Sequence, residues 1–404
     1  MHRQWLDRPF TGRSLLDVVR LTGWLYSPGC STPYLSLWAR TAGFRQSSLD
    51  RLVFKDRKLV QVETLRGCTM LVPREQAAVA LRVRSRTFTA LVKEARSLIP
   101  LTEKELDGLK RAVTATIGSG AASYADILGA VPANLVRPFP AGLKQLGLTG
   151  SLWLAINLLK EEGRIVKLQS GRRLDTTEYT FALVSSVLPE VDVFEMRNEH
   201  ANARLAAQYF AVEGPARIRD LAWWAGIHVS AAMRAAEEIR PRLVPVRVEG
   251  SREEFLIGEP AVDQFRSFRP PGTPSVNLIP YRDPYLKGQR EVVNRFVREE
   301  HFDKPFSRWK GKLINDPLSS ILYDGRVVGV WEWSREGSVD FILFDEGTTG
   351  IESLIEERAA ALGDFIRNEL GTFRLQGLDY GRYQMTAIHD LRHHWGQGAQ
   401  AKVS

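Results

Sequence analysis

The stretch GWLYSPGCSTPYLSLWAR, residues 23–40, sets two hydroxyls, Tyr26 and Ser27, ahead of a proline, among the rings of Trp24, Tyr34 and Trp38. Hydroxyls can hold water by hydrogen bonding, but neither is a strong base at neutral pH, tyrosine having a pKa of about 10. A carboxylate suits that task better. Asp283 in IPYRDPYLKG is the candidate, because Arg282 and Lys287 adjoin it in the sequence. It is also a natural turn residue, since Asp-Pro favours turn initiation.

Metal chemistry has less support. His389 and His393 in HDLRHH have the helical i, i+4 spacing of a ligand pair, yet no further ligand is evident nearby, so no metal site is expected. Cys30 and Cys68 are too few for a disulfide framework or a structural zinc cluster and read as small apolar side chains.

The formal net charge of +8 and pI near 9.5 favour an anionic partner. The charge is uneven: residues 1–100 hold 17 Lys+Arg against 7 Asp+Glu, leaving 38 against 40 in the rest. The positive field therefore belongs to the first quarter of the chain, where a phosphate-tracking surface is sought. Arg40, Arg66 and Arg74 are its candidate phosphate ligands, the other reading being a solvated charged face. Trp24 and Tyr26 are candidates to stack on a base or wedge into a helix, or else to pack in the core at a helix end.

At 404 residues and 44% hydrophobic content the chain is long enough for two to four domains of typical size (about 100–200 residues each). It shows no apolar run of membrane-spanning length and no signal-peptide pattern, so a cytoplasmic protein without membrane contact is expected.

Three segments repeat a plan of helices followed by a two-stranded wing. In the first unit, 1–100, SSLDRLVFKDRKL reads as a helix capped by Ser47 or Ser48. LVQVETL and CTMLVP then form a hairpin around Arg66-Gly67, and helical PREQAAVALRVRS follows with Pro73 in its first turn. The second, 101–190, opens on a capping box between Thr102 and Glu105. A helix ending at Gly163 leads to strands RIVKLQ and EYTFALV, with Arg172 and Arg173 at the wing tip, a common place for phosphate contact. The third, 191–260, runs through Gly214-Pro215 and ARIRDLAWWAGI to an acidic hairpin turn, and Trp223-Trp224 read as packing between units. Residues 260–275 read as a linker. An α+β segment, 276–385, carries a hairpin at Asp324-Gly325 and a long helix, and 386–404 is a tail.

PYLSLWAR with LVQVETLRGCTMLVPRE, GPARIRDLAWWAG, and LIPYRDPYLKG with YDGRVVGVW resemble, in order, segments of the winged-helix DNA glycosylases of the AlkZ and YcaQ type. The resemblance implies an α+β protein of three tandem winged-helix units plus a C-terminal α+β domain, C-shaped around a basic channel for double-stranded DNA, acting without metal or cofactor. It implies excision of bulky N-alkylated purines or unhooking of interstrand crosslinks. Orienting water and stabilising an oxocarbenium-like sugar would then suffice.

The family's Gln-x-Gln or Gln-x-Asp pair belongs just upstream of PYLSLWAR, yet residues 11–45 contain no glutamine or glutamate, and their one carboxylate, Asp17, lies too early. Tyr26 and Asp283 become the catalytic candidates, with Trp24, Arg40, Arg66, Arg74, Arg172, Arg173 and Lys287 as the DNA-binding set. The expectation is a monomeric duplex-DNA-binding protein with an altered or lost excision site. The alternatives are a sequence-specific transcription regulator or a non-catalytic interaction protein.

Overall fold

The computed structural model describes residues 1–12, 14–83, 93–97, 101–139, 149–176, 178–192, 195–288, 290, 295–309, 312–334, 337–345 and 350–371. His389 and His393 lie outside them. The architecture is mixed α+β. Helix Leu15–Thr22 precedes strand β1 (Leu25–Tyr26), helices Thr32–Trp38 and Gln46–Asp50 follow, and β2 (Leu59–Glu63) and β3 (Thr69–Pro73) complete an antiparallel sheet of order β1-β3-β2.

The period-two alternation of a strand assigns the side chains of this sheet to two faces. Leu25, Leu59 and Leu71 pack with Leu278, Trp331 and Ile355 of the C-terminal segment. Val60, Val62, Met70 and Val72, together with Trp24 and Tyr26, pack instead with Leu205, Tyr209 and Trp224. Both faces are covered, and the sheet is the partition between the C-terminal segment and the third unit.

The second unit holds helices Glu103–Gly118, Tyr124–Ala130 and Ser151–Glu161, then the hairpin β4 (Ile165–Gln169) and β5 (Tyr179–Leu183). Its core, including Leu106, Val113, Ile127, Leu152 and Phe181, draws only on residues 95–181. The hairpin leans on the first unit: the buried Gln61 side chain donates to Ser27 and accepts from the Gln169 amide, and Lys160 pairs with Glu63 at 2.5 Å. The third unit holds helices Asn198–Val212, Ile218–Ala225 and Val229–Glu238, then β6 (Leu243–Arg247) and β7 (Glu254–Gly258).

Beyond it come β8 (Val276–Ile279), the pair β9 (Phe306–Trp309) and β10 (Lys312–Pro317), then β11 (Ser320–Tyr323), β12 (Arg326–Trp333) and β13 (Val339–Leu343). The antiparallel sheet β13-β12-β11-β8 packs against helix Glu352–Phe365. Among the described residues no helix is long and apolar enough to cross a membrane.

Three local expectations are corrected. The helix beginning at Gln46 has Arg45 at its N-cap, two residues before Ser47 and three before Ser48, the expected caps. The β2–β3 connection is not a two-residue turn, because pairing ends at Glu63 and Thr69 and a short 3-10 segment, Leu65–Gly67, fills the gap. The proposed linker 260–275 is helical over Glu259–Ser267, where Pro260 in the first turn and the buried Ala261 dock it on the third unit.

Candidate active site

Where β1 meets the third unit, Trp24, Tyr26, Arg66, Glu213, Arg282 and Lys287 line one cavity, together with Cys68, Trp224 and the backbone of Gly23. About 40 Å3 of it is open to water, enough for a small number of molecules and far short of a ligand pocket of about 300–1,000 Å3.

The Arg282 guanidinium donates to the Tyr26 hydroxyl at 2.5 Å and lies 4.6 Å from the centre of its ring. Burial pushes the Tyr26 hydroxyl well above the ordinary tyrosine range, so it stays protonated. Arg282 sits at φ 58°, a left-handed conformation unusual for a side chain with a Cβ.

The neighbouring residue explains how this bend is held. Asp283 accepts from Arg40 Nη1 and Nη2 at 2.7 and 2.6 Å and from Ser36 Oγ at 2.7 Å, and its Oδ1 also caps the short helix Pro284–Lys287 by accepting from the Tyr285 amide. Both partners of the ion pair have fully buried side chains. Asp283 is therefore sequestered from a reacting centre, which corrects its reading as a water-orienting carboxylate, and it fixes the turn that presents Arg282 and Lys287. The same geometry corrects the reading of Arg40 as a phosphate ligand, since a guanidinium with no exposed surface cannot reach DNA.

Trp24 is 2% exposed and donates its indole N–H to Gln76 at 2.6 Å, so it packs in the core and is no exposed wedge. Arg66 is docked on the third unit, its guanidinium 4.3 Å from the Trp223 ring centre, and the Lys287 ammonium is 5.3 Å from the same ring. Lys287 itself is buried. Trp223 and Trp224 do sit between units, Trp224 facing Trp24 and Tyr209.

This docking needs Gly226, whose φ is 73° and whose added Cβ would lie 2.9 Å from Arg66 Cγ and 3.1 Å from its Cα. Left-handed strain and overpacking together predict that Gly226→Ala costs about 2–4 kcal/mol, read as a lowered urea midpoint.

Glu213, which the motif reading did not single out, is the one carboxyl lining the cavity among the described residues. It ends helix Asn198–Val212 and is 8% exposed. Burial raises its pKa to about 8, against the opposing pull of Arg3 and Arg295. Its only sequence signal is that apolar residues surround the helix, with Ala203, Leu205, Ala206, Tyr209 and Phe210 all buried, so that the helix end lies inside the protein.

The remaining predicted residues lie elsewhere. Arg74 is committed to Glu190, at 2.6 and 2.9 Å, and to the Val187 carbonyl. The second unit's wing tip is docked and not free: Leu174 is buried and its amide donates to Tyr34 Oη, while Arg173 binds Asp175 and the Leu370 carbonyl. Arg74 and Arg173 are thus engaged within the protein. Arg172 is exposed in the same turn.

The basic excess of the first hundred residues is split between two clefts. One, of about 1,580 Å3, faces Arg20, Arg57, Lys58, Arg74, Arg204 and Arg242 with seven carboxylates. The other, of about 860 Å3, is lined by Arg3, Arg8, Arg20 and Arg269, by Trp5, Phe10 and Phe268, and by no carboxylate among the described residues. No cluster of three or more possible metal ligands occurs among the described residues. Burial raises the Cys30 thiol to about 11, as befits a packed side chain.

A mixed α+β chain with a small cavity at the edge of its first sheet matches the family model for AlkZ-like DNA glycosylases over residues 19–365, and the chain belongs to that family. Among solved structures it is similar to Streptomyces sahachiroi DNA glycosylase AlkZ, with a TM-score of 0.68 and 20% identity over 93% of this chain and 95% of that one, a likeness of fold. No curated protein matches the chain.

Proposed function

We propose that this protein binds duplex DNA as a C-shaped tandem winged-helix scaffold and acts on bulky N-alkylated purines through a rebuilt base-excision site. Family membership supports the scaffold and the reaction class. One observation carries the rebuilding: in the stretch Trp24–Pro28, just upstream of PYLSLWAR, the side-chain polar atoms of Trp24, Tyr26 and Ser27 are taken by Gln76, Arg282 and Gln61.

Water is therefore not held there by two side-chain amides. Asp283 and Arg40 act as the brace behind the site, and Arg282 as the cation that occupies Tyr26. Phosphate contact is assigned to Arg8 and Arg269 of the carboxylate-free cleft, with Arg172 as an outlying contact; the aromatic side chains of that cleft suit nucleic acid.

Titration of a fluorescent duplex at several salt concentrations tests the reading. Log affinity is expected to fall linearly with log salt, by about 0.9 per phosphate neutralised, and Arg8→Ala and Arg269→Ala to weaken binding and flatten that slope. Absence of any salt-sensitive duplex affinity would sink it. Selection of a discrete sequence from random DNA would favour a regulator instead.

A further inference from the structure

We infer that Glu213 is the group that takes the proton from the attacking water in this chain, replacing the amide pair the motif lacks. The inference rests on the base-excision reading above. Hydrolysis of an N-glycosidic bond requires a water held and deprotonated as it adds to C1′. The cavity has room for water, and among the described residues its polar lining consists of cations, the engaged Trp24 and Tyr26, Thr22, the Cys68 thiol and a single carboxyl.

The step balances without any further reactant. Water oxygen bonds to C1′, and the C1′–N pair of electrons withdraws onto the purine, which leaves as a neutral base because N-alkylation had made it a cation. The displaced proton goes to the Glu213 carboxylate and then to solvent.

The surroundings of Glu213 make its charge depend on what is bound. Arg3 and the Met1 amine face it from the amino-terminal segment, Arg40 from the end of helix Thr32–Trp38, Asp283 and Tyr285 from the bend, and Arg295 from beyond it. Tyr209 lies on its own helix, and Tyr26, Arg66, Cys68, Arg282 and Lys287 lie across the cavity. In this setting burial keeps the carboxyl largely protonated at neutral pH. An N-alkylpurinium cation at the cavity mouth favours the carboxylate, so the base is generated where a charged lesion sits and not beside an undamaged purine. Gly288 makes room for it, since a Cβ there would overlap both Glu213 carboxyl oxygens.

Single-turnover formation of abasic sites on a duplex carrying one N7-methylguanine, with duplex affinity measured in parallel, tests this in the full chain. The wild-type rate is expected to rise about tenfold per pH unit and level off near pH 8 or below. Glu213→Gln is expected to lower the rate about 10²- to 10³-fold and to flatten the profile, with affinity changed less than twofold. Gly288→Ala, which keeps the carboxylate but displaces it, should share the loss. An unchanged rate in Glu213→Gln, a flat wild-type profile, or duplex binding without any excision overturns the role of Glu213 and leaves the DNA-binding reading standing. Failure of the wild type to bind duplex overturns both.

Discussion

Asp283→Ala is expected to destabilise the protein by about 3–5 kcal/mol, seen as a lowered urea midpoint with an unchanged slope. The magnitude follows from what remains: the Arg40 guanidinium, with no exposed surface, would lose both bonds to the carboxylate, and a buried charge without its partner carries most of its desolvation penalty. Ser36 would lose its acceptor and helix Pro284–Lys287 its cap.

The pair's net worth is a separate quantity, because two charges were taken out of water to make it. Combining Arg40→Met with Asp283→Asn removes both charges while keeping an acceptor for the cap, and this double variant should recover much of the loss. If it is no more stable than Asp283→Ala, the buried charge is not the source of the damage.

The second large effect is on stability against pH. Glu213 has a native pKa of about 8 and an ordinary value of 4.5, so between these limits the folded protein holds a proton that the unfolded chain has released. Stability from this group is fully present below about pH 4.5 and is lost as pH rises through 8. The loss is about 1.4 kcal/mol per pH unit, on the order of 5 kcal/mol in total. Glu213→Gln does not titrate, so the wild-type minus variant difference in unfolding free energy should grow steadily less favourable from pH 5 to pH 8. A constant difference across that range would show that the carboxyl ionises normally.

Features set by neighbouring residues were legible in the sequence. The Thr102–Glu105 capping box forms as read, Gly163 takes the left-handed φ of 69° that ends its helix, and Asp324-Gly325 turns β11 into β12 with both residues at positive φ. Asp-Pro at 283–284 starts a turn, as its local chemistry suggested.

What the sequence hid is set by residues far apart. Nothing near Arg40 marks it as the partner of a carboxylate 243 positions away, so a cation in a basic quarter reads as a phosphate ligand. Arg66 and Arg173 sit at hairpin ends that look solvent-facing until other units close over them. Glu213, followed by Gly-Pro, reads as an exposed helix end, and only the packing of that helix puts it inside.

The self-contained core of the second unit divides the molecule into parts of unequal independence. The first unit, the third unit and the C-terminal segment share side chains across their boundaries, so loosening any one of them exposes the apolar surface of the others. The second unit has an interior of its own, but Val166, Val184 and Leu188 join the core of the first and third units, and Leu174 and Arg173 plug into the C-terminal side. Its helices can therefore loosen around their own interior, whereas its hairpin comes away only with the surface it shares with the other two units.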